Sequence, residues 1–456
     1  MKKIKILLLV IVIAVVVLPL VGNKVIENVL EEKVSILTSN GIEIKKTSSD
    51  SSYFSTNKHY EFAVNDSKKF TTYLNQYNNK QLPSYVDMML QGMVVGFDLT
   101  YSNVLFSDTV KLDIYPITLS DEMTKNLKKG DKDFYKFITD FVKIKGLLYH
   151  VNYDLGSEDF NGYIKDIDEE YISKDSSKIK LLLKNMNYSG NGSLIHPYII
   201  DSSIEKILVI SNTKNEKLNF NVENVKATSN FKTKTTYSTL ASISILELDT
   251  QELQNSSHVL LSDAKFDLST DTQGEKAKFN SKTFFKKLVL KTSASDLIIK
   301  GFNYDISLKD IDKNVFEELS RLLEEAQTDL SQDLQLKISN SMITLFSKGL
   351  HLDIKDVSID KLSKDNSAEV DAFSFRASLD IDADDKLLKA PKATAFMKNI
   401  KLDALIKISK DFFKMMNQEL PVSMLASGFA KEVKNDYVFD IKFQDSKLKV
   451  NGKVIR

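Results

Sequence analysis

Polar and apolar residues alternate with a period of two along most of the chain, and this pattern predicts β-strands. Residues 110–115 (Val-Lys-Leu-Asp-Ile-Tyr) and 217–222 (Lys-Leu-Asn-Phe-Asn-Val) are two examples. Successive side chains of a strand point to opposite faces of a sheet, so a strand with one buried face produces this period. We therefore expect an α+β fold dominated by β-structure, in which repeated hairpin units form an extended, curved antiparallel sheet with packed helices.

A six-residue pattern recurs within the β-rich part: apolar, any, Asn/Asp/Gly, apolar, any, apolar. It breaks strict alternation by one residue, as a β-bulge does, and Asn, Asp and Gly tolerate the left-handed conformation that some bulges require. Composition alone would give about seven matches by chance. The spacing is more regular than chance, with intervals of 39, 39, 39 and 38 residues from Gly146 to Gly301, which favours a repeat of about 39 residues with two strands per unit. The third positions are Asn103, Gly146, Asn185, Asn224, Asp263, Gly301, Asp356, Asn399 and, in a degenerate copy, Asp445.

Helical periodicity, with apolar residues three and four positions apart, interrupts the β pattern at several places. It predicts helices at residues 132–142, at 405–416 and from Pro421 to about residue 433. A helical insertion at about residues 312–349 contains two further apolar stripes and ends at Gly349. We interpret the stripes as surfaces that pack against the sheet, with a partner-binding surface as the alternative.

The N-terminal segment combines a basic start with an apolar run. Residues 6–22 are 17 uncharged residues, the short end of what crosses a hydrocarbon layer of roughly 30 Å. Helical spacing continues to Asn40, which favours an uncleaved anchor over a cleaved signal peptide, and the preceding lysines place the N-terminus in the cytoplasm. The expected organisation is a basic start, transmembrane helix and its continuation at residues 1–40, then a periplasmic β-rich repeat domain at 41–456. This describes a single-pass protein of the bacterial inner membrane.

Charge and cysteine content narrow the function classes. The chain has 62 basic and 62 acidic residues, a formal net charge of zero. A nucleic-acid-binding domain normally has a basic excess, so nucleic acid is not an expected partner. The chain has no Cys, which excludes a thiol enzyme, Cys-ligated metal sites and disulfide bonds.

A search for reactive or ligand-binding motifs gives no candidate site. The five His are isolated in sequence, and no zinc, phosphate-binding or nucleophile-elbow motif is present. The acidic clusters at residues 166–170 and 380–385 lack the Gly and spaced Glu of a helix-flanked Ca²⁺ loop, so we interpret them as solvated strand ends or turns. Asn-Gly pairs at 161–162, 191–192 and 451–452 predict turns. We therefore predict no catalytic, cofactor-binding or metal-binding residues, no cofactor and no enzyme activity.

Two segments resemble the YdgA-like family of bacterial membrane-anchored envelope proteins of unknown function. Residues 22–27 are similar to that family's Gly-x-Lys-x-x-Glu exit from the membrane, and residues 426–453 are similar to its C-terminal helix and hairpin, which closes on Leu-x-Val-Asn-Gly-Lys at 448–453. Ser446 departs from the pattern, because a Gly is expected before the closing strand. The resemblance implies an inner-membrane anchor and a periplasmic domain, and it supplies no catalytic residues.

Two functional hypotheses follow from these features. The first is a protein that binds, or helps to transfer, lipids or other apolar envelope molecules, with the inner membrane and lipid as partners. The alternative is an interaction scaffold in envelope maintenance that has no ligand groove and binds unidentified protein partners. An open apolar groove on the sheet favours the first hypothesis, and a filled core favours the second.

Overall fold

The computed structural model describes residues 34–52, 55–77, 82, 85–102, 109–193, 197–233, 235–252, 255–326, 331–384, 397–417 and 428–455. These residues form 22 strands, and the strand pairs described below are all antiparallel, so the prediction of a β-dominated antiparallel architecture is confirmed. The chain divides into two compact units, Met1–Thr228 and Ser229–Arg456. Each unit is described by itself below.

The predicted fold class was wrong in its N-terminal transmembrane helix. No helix within the described residues is long and apolar enough to cross a membrane. The helix Gln332–Ser347 has 16 residues and includes Asp333; with a rise of about 1.5 Å per residue it is about 24 Å long, shorter than a hydrocarbon core of about 30 Å. The same finding corrects the predicted localisation as a single-pass inner-membrane protein. The apolar run at residues 6–22 lies outside the described residues, and of its expected continuation residues 34–39 are helical.

The strands of the first unit pair mainly in chain order. β1 to β6 form an antiparallel series. β6 then pairs with β9, β7 with β8, and β10 with both β8 and β9, so β8 and β9 act as one long strand interrupted at Asn185. The strands are β1 (Ile42–Ser51), β2 (Ser55–Val64), β3 (Val94–Ser102), β4 (Thr109–Thr118), β5 (Tyr149–Asp154), β6 (Asp159–Ile164), β7 (Ile167–Ile172), β8 (Lys178–Lys184), β9 (Met186–Gly192), β10 (Pro197–Asn212) and β11 (Glu216–Phe231).

Helices pack on the sheet of the first unit and fill its core, and besides the helical residues 34–39 four of them are described in full. They are α1 (Ser67–Tyr77), α2 (Tyr85–Leu90), α3 (Asp121–Gly130) and α4 (Lys132–Lys143). α4 confirms the predicted helix at 132–142. The Asp131 side chain caps it by accepting hydrogen bonds from the backbone N–H groups of Asp133 and Phe134. Its apolar stripe is buried against the sheet, with Phe134 0% exposed.

The second unit is an antiparallel meander. β12 to β18 pair in chain order, β18 pairs with β20, β20 also pairs with β19 and β21, and β21 pairs with β22. Its helices are α5 (Lys313–Glu325) and α6 (Gln332–Ser347), within the region predicted as a helical insertion, and α7 (Lys410–Asn417). The strands are β12 (Tyr237–Glu252), β13 (Ser256–Asp271), β14 (Lys276–Thr292), β15 (Asp296–Asp312), β16 (Leu350–Lys364), β17 (Val370–Ile381), β18 (Ile400–Ser409), β19 (Lys431–Val433), β20 (Asp436–Gln444), β21 (Lys447–Val450) and β22 (Lys453–Val454).

Left-handed backbone occurs at four of the predicted pattern positions in the long strands. Asn185, Asn224, Asp263 and Gly301 have φ angles of 49°, 52°, 52° and 65°, as expected for Asn, Asp and Gly. The expected bulge is absent at Gly301, because the register of β15 and β16 is unchanged across it, with Lys300 opposite Lys361 and Phe302 opposite Ile359.

A bulge with a register shift lies at the Asp356 copy of the pattern. The pairs of β16 with β15 and with β17 both shift there.

The other copies of the pattern lie outside the long strands. Gly146 lies after α4, Asn399 precedes β18, Asp445 lies in the turn between β20 and β21, and Asn103 lies outside the described residues.

Several local predictions were wrong because tertiary contacts decided the structure. Residues 405–409, predicted as helix, belong to β18, which pairs with β17 and β20. Residues 431–433, also predicted as helix, form β19, and residues 421–427 lie outside the described residues. Residues 167–170 of the first acidic cluster lie within β7, and Asp385 of the second is not among the described residues.

The Asn-Gly pairs differ from one another. Asn451 and Gly452 form a turn with φ angles of 48° and 80°, which confirms that prediction. Asn191 and Gly192 end β9. Asn161 and Gly162 lie inside β6 instead of in a turn.

Candidate functional site

In the second unit, the register of the strand pairs places side chains of different chemistry on the two faces of the sheet. Directly paired residues on neighbouring strands point to the same face, and residues two positions apart along a strand do so as well. We define the apolar face by three rows that cross β14, β15, β16, β17, β18 and β20. The first row is Phe285, Phe302, Ile359, Phe373, Ile408 and Tyr437; the second is Thr283, Tyr304, Val357, Phe375, Ile406 and Phe439; the third is Ser281, Ile306, Ile354, Ala377, Ala404 and Ile441.

The opposite face of the same strands is mostly polar, although it includes Leu405 and Phe284, which is 36% exposed. The row between the second and third rows of the apolar face consists of Lys282, Asp305, Asp356, Arg376, Leu405 and Asp440. Lys282 Nζ lies 3.4 Å from Asp305 Oδ2 in this row. The bulge in β16 preserves the separation of the faces, because it keeps both Ile354 and Val357 on the apolar side.

Helices cover part of both margins of the apolar face, and beyond the first row on β14, β15 and β16 the next residues are Lys287, Lys300 and Lys361. Beyond the third row, Phe279, Leu308 and Leu352 pack into a core with residues of α5 and α6, including Leu345, which is 8% exposed. Next to the first row, the α7 residue Phe412 packs on Phe373 with ring centroids 5.8 Å apart, and its neighbour Phe413 packs on Tyr437 at 5.0 Å.

Between these margins the large apolar side chains remain partly exposed to solvent. Phe302, Tyr304, Val357, Phe375 and Ile406 are all half-buried. In β13 the second row continues to Phe266, which lies opposite Thr283 and is 37% exposed. The first unit differs, since its core cluster has 32 buried apolar residues. The second unit therefore presents an incompletely covered apolar surface.

The apolar face is long enough for an extended hydrocarbon chain. Five strand-to-strand steps separate β14 from β20, and at about 4.8 Å per step they span about 24 Å. One leaflet of acyl chains spans about 15 Å, half of a hydrocarbon core of about 30 Å. A single acyl chain lying along a row would therefore contact most of the six strands.

Lys410 lies where the apolar face meets α7. Lys410 Nζ is 2.5 Å from Glu432 Oε2 and 5.6 Å from the centre of the Tyr437 ring. The hydrogen bond to the Glu432 carboxylate raises the pKa of Lys410 above its ordinary value. An anionic group bound here would compete with Glu432 for this cation, so the charge gives little headgroup selectivity.

The histidines share an arrangement that sequence analysis missed. Each of the four described His lies directly opposite an Asp of a neighbouring strand. The Nδ1 to Oδ1 distances are 2.6 Å for His59–Asp98, 2.6 Å for His150–Asp113, 2.5 Å for His258–Asp249 and 2.6 Å for His351–Asp380. Only knowledge of the strand register could have revealed these pairs. His196 lies outside the described residues.

The His59–Asp98 pair of the first unit belongs to a larger polar cluster. Asp98 also accepts hydrogen bonds from Lys145 Nζ at 2.6 Å and from the Tyr115 hydroxyl at 3.0 Å. Burial by itself would raise the pKa of Asp98, but the hydrogen bonds from Lys145, His59 and Tyr115 outweigh it, so the pKa lies below the ordinary value of 3.8. The Asp98 carboxylate thus has three hydrogen-bond partners, and these contacts stabilise the strands that they join.

The first unit also has an open cleft with a mixed lining, in which aromatic side chains such as Tyr163 and Tyr188 accompany the polar groups. Its volume is about 500 Å³, and its lining includes Asn161, Asn187, Asp201 and Lys226. Thr228, also in the lining, donates a hydrogen bond to Asp201 at 2.6 Å. This cleft therefore suits a partly polar ligand, whereas the rows of large side chains on the apolar face of the second unit suit an elongated apolar one.

Comparison of the chain with protein-family models, with curated proteins and with solved structures found no match. The resemblance to the YdgA-like family therefore stays a prediction.

Proposed function

We propose that the second unit binds an elongated apolar molecule, of the acyl-chain lipid class, on its apolar face. The observation behind this proposal is the partial exposure of the large side chains in the first and second rows, between margins that helices partly cover. Contiguous exposed apolar surface is uncommon on a soluble protein and usually marks a binding surface. The alternative, a scaffold with a dry and filled sheet, would bury these side chains.

The area of the apolar face sets the scale of the affinity. A large aromatic side chain has roughly 200 Å² of surface, and a bound chain that removed about 40 Å² from each of ten side chains would bury about 400 Å². At about 25 cal/mol per Å² this contributes about 10 kcal/mol before the costs of association, which are about 4–15 kcal/mol. The gain and the costs are of the same size, so a complex on this face should be weak and exchange readily.

The proposal also predicts what the site selects. Its contacts are aliphatic and aromatic, and the marginal cations Lys410, Lys300 and Lys361 pair with Glu432, Glu369 and Asp371. Affinity should therefore rise with acyl-chain length and change little when a carboxylate headgroup is replaced by an uncharged one.

A pair of adjacent substitutions on β18 tests the proposal. Ile406 lies in the second row of the apolar face, whereas Leu405 lies on the polar face, opposite Arg376 and Asp440. Both side chains are half-buried. Binding of a fluorescent polyene fatty acid to the full chain is titrated for the wild type, Ile406→Asp and Leu405→Asp.

We expect Ile406→Asp to weaken binding at least tenfold, because it places a charge within the apolar face, and Leu405→Asp to leave binding near the wild-type value. Thermal unfolding of both variants controls for loss of structure. The proposal is wrong if the wild type does not bind the probe, or if both folded variants bind it equally well. Specific recovery of a protein partner through this face, without lipid binding, would favour the scaffold.

A further inference from the structure

Two neighbouring strands of the second unit bring an imidazole and two carboxylates together. Glu247 and Asp249 are two residues apart on β12 and so share a face, and Asp249 lies directly opposite His258 of β13. His258 Nδ1 is 2.5 Å from Asp249 Oδ1 and 3.9 Å from Glu247 Oε1. The three possible ligand atoms all lie within 4.8 Å of one another.

Convergence on one nitrogen distinguishes this group from the other cross-strand pairs. His59 also has two acidic neighbours, but its Nδ1 contacts Asp98 at 2.6 Å whereas its Nε2 contacts Glu61 at 3.3 Å. Those carboxylates therefore lie on opposite sides of the ring and cannot share one ion with it. Over the described ranges, Glu247, Asp249 and His258 are the one group of three His, Asp or Glu residues with ligand atoms this close.

The surroundings of the group favour a bound cation. Glu247 lies opposite Leu260, and the next residue in that row, Val289, is 3% exposed, so one side of the group is apolar and strengthens electrostatic attraction. Lys291 lies opposite His258. Its Nζ is 3.6 Å from Oδ2 of Asp296, which lies on the next strand, β15, away from His258. The lysine charge is thus directed towards Asp296.

We propose that Glu247, Asp249 and His258 bind a first-row divalent cation of the Zn²⁺ class. One imidazole nitrogen and two carboxylate oxygens are ordinary ligands for Zn²⁺, at about 2.0–2.2 Å from the metal. Ligand atoms of a tetrahedral site at these distances are about 3.4 Å apart. The carboxylate of Asp249 must therefore move about 1 Å from His258, and the cation replaces the proton that the pair shares.

Two carboxylates and a neutral imidazole have a total charge of −2, which one divalent cation neutralises. Three protein ligands leave a fourth tetrahedral position for water. The site lies near the end of β12 and the start of β13. The cation would therefore join these two paired strands and raise their resistance to unfolding.

Binding of Zn²⁺ alone to the full chain, measured by calorimetry after treatment with a chelator, tests the site. Three variants are compared with the wild type. His258→Ala removes the nitrogen ligand, and Glu247→Gln removes one carboxylate charge while leaving the His258–Asp249 pair in place. His351→Ala is the matched control, because it removes an equivalent cross-strand pair to Asp380, at 2.6 Å, that is not part of a group of three.

We expect one Zn²⁺ equivalent whose affinity falls at least tenfold in both His258→Ala and Glu247→Gln and is unchanged in His351→Ala. Protection of the β12 and β13 amides from hydrogen exchange should increase with Zn²⁺ in the wild type and not in His258→Ala. The inference is overturned if the wild type binds no Zn²⁺, if His351→Ala loses affinity equally, or if Glu247→Gln binds as the wild type does.

Discussion

The contrast between a filled core in the first unit and a partly exposed apolar face in the second predicts different costs for the same substitution. Phe134→Ala and Phe375→Ala both remove a phenyl ring. Phe134 is 0% exposed and packs on Phe137 and Tyr171, with ring centroids 6.1 and 4.9 Å away. Phe375 is half-buried in the second row, opposite Val357 and Ile406.

The magnitudes follow from whether a cavity forms. At Phe134 the lost ring leaves an enclosed void, so the transfer and cavity costs add to about 3–5 kcal/mol. At Phe375 the space opens to solvent, so no cavity forms and only the buried part of the ring is lost, about 1–2 kcal/mol. Strand propensity adds up to about 1 kcal/mol to the second value.

Hydrogen exchange measured by mass spectrometry is the appropriate assay, because it reports each unit separately where a single unfolding curve would not. Peptides from β4 and α4 report the Phe134 variant, and peptides from β16 and β17 report the Phe375 variant. The reasoning is refuted if Phe375→Ala destabilises its own strands as much as Phe134→Ala does, since that result would mean that the apolar face is a filled core.

Three further substitutions test individual features of the fold. Gly162→Ala should destabilise the first unit by about 2 kcal/mol or more, because the new Cβ would lie 2.1 Å from both the His150 carbonyl oxygen and the Tyr188 hydroxyl; a thermal melt close to that of the wild type would contradict this. Asp263→Val should cost about 1–2 kcal/mol, since a β-branched side chain disfavours the left-handed backbone that Asp tolerates there, whereas Asp263→Gly should cost nothing; equal melting temperatures for the two variants would argue against that conformation. Asp98 has a lowered pKa when folded, so its contribution to stability is complete above the unfolded-state pKa of about 3.9 and is lost as pH falls through the folded-state pKa. Asp98→Asn should therefore flatten the dependence of stability on pH below about pH 4, and an unchanged acid limb in chemical denaturation would rule out this role.

Features that depend on local sequence could be predicted. The helix α4 follows from its own apolar spacing and from the Asp131 cap. The left-handed residues Asn185, Asn224 and Asp263 follow from the need for Asn or Asp at such positions. The β-dominated antiparallel architecture follows from period-two alternation over many segments.

The boundary between β18 and α7 shows where local patterns become ambiguous. Leu405, Ile406 and Ile408 continue into Phe412 and Phe413 with a spacing that fits a helix as well as a strand. The residue that separates the elements is Ser409, whose Oγ accepts a hydrogen bond from the backbone N–H of Phe412 at 3.0 Å, as a helix N-cap does. Recognition of this cap would have placed the start of the helix correctly.

The other missed features depend on strand register. Asn161-Gly162 is a hairpin signal by composition, but Gly162 is needed where the Tyr188 hydroxyl donates a hydrogen bond to the His150 carbonyl at 2.7 Å. The His–Asp pairs join residues that are 39, 37, 9 and 29 positions apart, so the chain between them determines whether they meet. The group of Glu247, Asp249 and His258 was missed for the same reason, because its two halves lie on different strands.

The central claim is that the apolar face of the second unit binds an acyl chain. Photo-crosslinking of the full chain with a long-chain fatty acid that has a diazirine near its end tests this most directly, with the modified residues identified by mass spectrometry. The account predicts adducts concentrated on β15 to β18 at residues of the first and second rows, such as Phe302, Phe375 and Ile406, and their loss in the presence of excess palmitate. Adducts spread evenly over both faces, or concentrated in the first unit, would contradict it.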